Sequence, residues 1–179
     1  TNAYYAGLFP LSDQILGTAL SLKGKAVGVT GASGTLGRAL ITELAKQGAK
    51  PVALSTSANA DIPDAVKIIA WRAGEEAELS NAFSKIDILL INHGINVMGE
   101  TSPLAIEQSL NVNALSAWRM MEVFLETVDN RTGHATKEIW VNTSEAEVNP
   151  AFSPLYEISK RLIGDLINIR RTDAPCVIR

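Results

Sequence analysis

A glycine-rich junction constrains this chain more than any other feature. Thr30-Gly31-Ala32-Ser33-Gly34-Thr35-Leu36-Gly37 stands directly between an apolar run, KAVGVT at 25–30, and a helical one. Beyond it Leu36, Leu40 and Leu44 recur at helical spacing until Gly48 ends the pattern. A strand feeding a helix through three glycines opens a βαβ unit. Gly31 permits the tight turn, Gly34 lets the backbone approach a pyrophosphate, and Gly37 lets helix and strand pack closely. The helix N-terminus adds N–H donors and a dipole that favours an anion. Glycines also serve ordinary turns, so the context is what matters: strand before, helix after. A dinucleotide cradle is expected from Gly31, Ser33, Gly34, Thr35, Leu36 and Gly37.

The rest of the chain repeats the alternation. Strands are expected at 51–56, 66–71, 86–92, 138–143 and 176–179. Helical stretches are expected at 75–83, from Ser102 to about Val128 with a break, and at 153–171. The run IDILLIN at 86–92 is almost wholly aliphatic, as suits a central parallel strand covered on both faces. Ser102 followed by Pro103 marks a helix start, and 130–136 is a polar loop. Alternating β and α predicts an α/β fold, a doubly wound parallel sheet of the Rossmann type that stops after its sixth strand. The expected organisation is an N-terminal arm or linker at 1–22 and an NAD(P)-binding domain at 23–179. In the arm, Ser12 caps a short helix carrying Ile15, Leu16, Ala19 and Leu20 on one side. It reads either as an arm packed on the domain or as a linker from a preceding one.

Composition excludes several classes. A net charge of −3 gives no reason to expect nucleic acid or an anionic membrane as partner. The apolar stretch 8–22 is interrupted by Ser12, Asp13 and Gln14, is too short to span a bilayer and has no basic region before it. The single cysteine, Cys176, forms no intramolecular disulfide and no cysteine zinc site, and reads as a buried structural thiol. His93 and His134 have no ligand spacing, so no metal is expected. The default compartment is a reducing cytoplasm.

Two further groups carry chemistry. Ser55, Thr56 and Ser57 close the second strand, where a carboxylate would grip the adenosine ribose 2′-OH of NAD. Hydroxyls do not repel a 2′-phosphate, so NADP is favoured, with NAD as the alternative, although no arginine stands within the glycine loop. Tyr156 and Lys160 are four residues apart on a helix and share one face. An ammonium beside a phenol favours the phenolate, and such a phenol exchanges a proton with a carbonyl or alcohol oxygen as hydride moves at carbon. Ser144, ending the fifth strand, is placed to hydrogen-bond the same oxygen.

From about Leu22 to Arg179 the chain resembles the short-chain dehydrogenase/reductase family. The likeness rests on TGASGTLG, on Asn92-His93-Gly94 after the fourth strand, on Asn113 in LNVNAL, on Ser144 in VNTSEAE, and on Tyr156-Glu-Ile-Ser-Lys160. It implies a ketone or aldehyde reductase, or the reverse alcohol dehydrogenase, acting on a small-molecule substrate. Tyr156 is then acid/base, Ser144 orients the carbonyl, Asn113 supports a water-linked relay, and Lys160 tunes the phenol and holds the nicotinamide ribose. Asn92, His93, Gly94 and Arg72 would line the cofactor, Arg72 standing where an aspartate commonly meets the adenine.

There are departures from the family pattern. The Gly31-Gly34-Gly37 spacing is the one commoner in the sugar-nucleotide branch, whereas the separation of Ser144 and Tyr156 by twelve positions fits the compact reductase branch. Ile91 and His93 replace the usual Asn and Ala, and His93 is read as packing. Glu145 and Glu147 bring unusual charge beside the serine. Two other readings stay open: a non-catalytic nucleotide-binding module, and a sugar-nucleotide epimerase or dehydratase. The ending at the sixth strand suggests a longer chain or a shortened relative. The family habit, with Trp118, Met120, Met121 and Phe124 beyond what one sheet face needs, points to a homodimer or homotetramer.

Overall fold

The computed structural model describes residues 21–128 and 137–179. Strand β1 (Ala26–Thr30) leads through the glycine turn into helix α1 (Thr35–Lys46), and β2 (Lys50–Ser55) and β3 (Lys67–Ala70) follow. A 3-10 turn (Glu76–Leu79) runs into the four-residue α2 (Ser80–Phe83), then β4 (Ile88–Ile91). Helix α3 (Pro103–Leu110) passes through a π-helical segment (Asn111–Leu115) into α4 (Ser116–Leu125). Strand β5 (Glu138–Val141), a 3-10 turn (Glu145–Glu147), α5 (Pro154–Arg170) and β6 (Val177–Ile178) complete the described elements. The expected arm helix near Ser12 and the polar loop at 130–136 lie outside the described residues.

The six strands form one parallel sheet in the order β3-β2-β1-β4-β5-β6. This is the doubly wound Rossmann arrangement. The chain reverses direction across the sheet between β1 and β4, and a crevice opens there at the carboxyl ends of the strands. Side chains alternate faces along each strand. Val27, Val29, Ile88 and Leu90 therefore pack with Ile41 and Leu44 of α1 on one side. Leu89, Ile91 and Ile139 pack with Met120, Met121, Phe124, Ile163 and Ile167 on the other. Each such side chain, taken fully out of water, contributes roughly 1.5–3 kcal/mol.

The helix that starts at Ser102 does so for the expected reason. The Ser102 hydroxyl accepts the Ala105 N–H at 3.2 Å and Pro103 occupies the first helical position. The break expected within 102–128 is the π segment. The stretch 75–83, expected as one helix, is divided between a 3-10 turn and a short α-helix. Its first turn is 3-10, and Glu76 is buried, accepting from Ser116 Oγ at 2.6 Å, Arg119 Nε at 2.8 Å and Gly74 N at 2.9 Å. Burial pushes that carboxyl up, but the Arg119 and Ser116 hydrogen bonds outweigh it and hold it below the usual carboxylate range. Met120, Met121 and Phe124 are buried in the chain's own core, and the half-buried Trp118 packs against it. Cys176 is buried, and burial pushes its thiol up to about 11. Among the described residues no helix is long and apolar enough to cross a membrane.

Candidate active site

Backbone sterics shape the cradle after β1. Gly31 adopts φ +62°, and a Cβ there would lie 3.0 Å from the His93 Cα. A Cβ on Gly37 would lie 2.2 Å from the Gly31 carbonyl oxygen and 2.8 Å from the Ala32 Cα, so only glycine lets α1 seat this close. Gly34 is the N-cap of α1, and no side chain caps the first turn. The amides of Thr35, Leu36 and Gly37 thus have no intrahelical acceptor. Ser33, Gly34, Thr35 and Leu36 are all exposed there. An anionic pyrophosphate suits such a cradle, with its uncapped donors and positive helix end.

Thr30, at the end of β1, ties this turn to the one after β4. Its hydroxyl oxygen accepts the backbone N–H groups of Asn92 at 2.8 Å and His93 at 3.1 Å, and lies 2.8 Å from His93 Nδ1. Two accepted bonds fill its lone pairs, so its proton goes to Nδ1 and the imidazole carries its own proton on Nε2. Burial pushes His93 down to about 4, with the Lys160 charge acting in the same direction. The ring meets Trp71 edge-on at 4.9 Å, and neither His93 Nε2 nor Trp71 Nε1 has a hydrogen-bond partner among the described residues. His93 is a packed neutral ring. Asn92 is half-buried, and its Oδ1 accepts from Asn142 Nδ2 at 2.8 Å.

Asn113 sits in the π segment, a helix irregularity that frequently marks functional sites. Its Oδ1 accepts the Ile95 N–H at 2.7 Å, and its Nδ2 donates to the Ile95 carbonyl and to Ser159 Oγ, both at 2.9 Å. Three of the four hydrogen-bonding positions of the asparagine side chain are therefore filled, and it holds the turn after β4 against α5. At that turn a Cβ on Gly94 would lie 3.1 Å from Asn113 Oδ1 and 3.5 Å from Lys160 Nζ. The Asn92-His93-Gly94 turn, Asn113 and Lys160 converge on one spot.

Lys160 is 7% exposed, with its Nζ 5.6 Å from the centre of the Tyr156 ring one helical turn earlier. Burial holds its ammonium below the usual lysine range, and the Glu147 charge opposes that. The Glu147 carboxylate lies over α5 at Gly164, where a Cβ would meet its Oε1 at 2.2 Å. Ser144 follows β5, and its hydroxyl accepts the Ala146 N–H at 3.2 Å, which leaves its own proton to donate.

The adenosine side differs from the sequence reading in one respect. Ser55 is buried and its Oγ accepts the Ser57 N–H at 3.3 Å, so it builds the turn, whereas Thr56 and Arg72 are exposed. The sequence reading also missed Thr30 and Ser159, whose hydroxyls knit the site together. The serine immediately before Lys160, on the inward side of its helix, was the available clue.

The sequence matches the family model described as short chain dehydrogenase over residues 25–171. Over 99% of its length it is 52% identical to a monoglucosyldiacylglycerol epimerase of Synechocystis sp., of which it covers 45%. The chain thus spans less than half the length of that relative. Among solved structures it resembles the ligand-free aldohexose dehydrogenase of Thermoplasma acidophilum, with 21% identity, a TM-score of 0.69, 87% of this chain and 64% of that one covered. A short chain dehydrogenase of Burkholderia cenocepacia in complex with NADP gives 21% identity and a TM-score of 0.77, over 89% of this chain and 71% of that one. Likeness at these identities speaks to the fold.

Proposed function

The chain belongs to the short-chain dehydrogenase family, and on that premise we propose that it moves hydride between a nicotinamide dinucleotide and a secondary alcohol or ketone. The proposed substrate is a sugar carried on a diacylglycerol lipid, with inversion at one carbon as the net result. The observation that carries the reaction is the convergence at Gly94 of Asn113 Oδ1 and the buried Lys160 Nζ, with Tyr156 one turn away. The likeness to a glycolipid epimerase supports the substrate class, and the Gly31-Gly34-Gly37 spacing, commoner in the sugar-nucleotide branch, supports only epimerisation of a sugar. NADP is the proposed form, because Ser55, Thr56 and Ser57 present no carboxylate.

A bound nicotinamide would supply the hydride acceptor and, on return, the donor. The glycine turn and the first turn of α1 would hold its pyrophosphate. In the oxidising direction Tyr156 takes the hydroxyl proton as hydride leaves the same carbon. In the reducing direction Tyr156 returns that proton to the ketone oxygen. Ser144 donates a hydrogen bond to this oxygen and keeps it in place. Lys160 keeps a positive charge beside the phenol, and Asn113 fixes the turn against which the lysine packs. A sugar released and rebound on its other face between the two half-reactions is inverted with no net use of cofactor.

The test is to incubate purified protein with NADP and a monoglucosyl diacylglycerol, following both sugar configuration and reduced cofactor. The expected result is an inverted sugar without accumulation of NADPH. Tyr156→Phe should lower turnover by roughly 10² to 10⁴ and leave cofactor affinity unchanged. Stoichiometric oxidation without inversion would remove the epimerase part of the proposal. Wild-type turnover in Tyr156→Phe would remove the mechanism. Cofactor binding with no turnover of any alcohol or ketone would favour a binding module.

A further inference from the structure

Helix α1 sends one side chain back over the turn that precedes it. Arg38 Nε donates to the Ser33 carbonyl at 3.0 Å, and Nη1 donates to the Asp61 carbonyl. The guanidinium therefore bridges the glycine turn and the loop after β2, the two segments that flank the adenosine end of the crevice. It is exposed. Two of its five N–H donors are used, and three remain. Both acceptors are neutral carbonyls, and among the described residues no carboxylate pairs with Arg38. Asp64, in the same stretch of chain, is engaged by the Thr42 hydroxyl. An unneutralised fork is thus held in a fixed orientation where Thr56 is exposed and no acid closes β2.

We propose that Arg38 determines cofactor specificity, its free guanidinium donors taking the 2′-phosphate of the dinucleotide. This rests on the dinucleotide reading above. A planar fork suits a phosphate, which accepts charge-assisted hydrogen bonds from it. The two backbone carbonyls hold the side chain before the ligand arrives, so little of its conformational freedom is lost on binding. The residue comes from the helix, past the third glycine, and reaches the loop only because the chain folds back.

The probes are 2′,5′-ADP and 5′-AMP, which differ only in that phosphate, titrated calorimetrically into the purified protein, with NADPH and NADH in parallel. Wild type should prefer the 2′-phosphorylated member of each pair by about tenfold or more, equivalent to about 1.4 kcal/mol. Arg38→Ala should collapse that preference and leave 5′-AMP affinity unchanged, which also shows that the variant is folded. Arg38→Lys, which keeps the charge but not the fork, should fall between them. A wild type without the preference would overturn the proposal, as would an Arg38→Ala protein that keeps it. Equal weakening of both probes would also overturn it, because Arg38 would then only brace the loops. Failure of wild type to bind any of the four compounds would instead bring down the dinucleotide reading itself.

Discussion

The glycine turn after β1 and the turn after β4 face each other across the crevice, and different forces hold them. Around Gly31 and Gly37 the shape is set by where backbone atoms leave no room, with a Cβ on Gly37 falling 2.2 Å from a carbonyl oxygen. Around Gly94 the shape is set by side-chain hydrogen bonds from far along the chain, Asn113 to Ile95 and Ser159. The first arrangement is rigid by exclusion and leaves its amides unspent. The second depends on satisfied polar groups, each costly to lose, and can be retuned by one substitution. A dinucleotide phosphate needs only a constant cradle, whereas a reacting carbon needs groups positioned from several elements.

The largest expected effect tests the steric half. Gly37→Ala should cost roughly 3 kcal/mol or more, because a backbone carbonyl cannot rotate aside as a flexible side chain would. Urea unfolding measures it, and a loss near zero would mean that α1 can shift and the turn is not held by exclusion.

The next effect sits where the two regions touch. Folding lowers His93 from 6.5 to about 4, so the folded state favours the neutral ring. That contribution is full above the unfolded value and is lost as pH falls toward 4. At 1.36 kcal/mol per unit it amounts to roughly 3 kcal/mol. Urea midpoints at neutral and acid pH should therefore drop more in wild type than in His93→Gln. Equal drops would show that the histidine does not couple the two turns to pH.

The smallest effect on stability belongs to Gly34→Asp. Aspartate is a good N-cap, but a Cβ at 34 would lie 3.3 Å from the Gly31 carbonyl oxygen, so the two effects oppose and stability should change by only a few tenths of a kcal/mol. Dinucleotide binding should be abolished, since the new carboxylate occupies the anion's place at the helix end. Calorimetric titration beside a thermal melt separates the two, and retained binding would mean that the cradle lies elsewhere.

The same division explains what could be read in advance. The parallel α/β fold, the approximate strand positions and the glycine turn follow from local patterns: apolar runs, helical spacing, glycines between a strand and a helix. Tyr156 and Lys160 were legible because four residues make one helical turn. The partners of Asn113 were not, since Ser159 lies 46 residues away and Ile95 contributes only backbone. The burial of Glu76 was not legible either, because Arg119, which pairs with it, is 43 residues distant. Ser55 looked like a ligand contact, but its hydroxyl bends to its own loop.

The seat of Glu147 on α5 has a consequence of another kind. Its carboxylate fills the gap left by the missing side chain of Gly164, and it is also the charge that opposes the burial of Lys160. A flexible side chain gives way where backbone would not. A methyl group at 164 would therefore swing the carboxylate outward rather than unfold the helix. A substitution at 164 would thus change the field around Lys160 through where the Glu147 carboxylate rests, without adding a charge of its own.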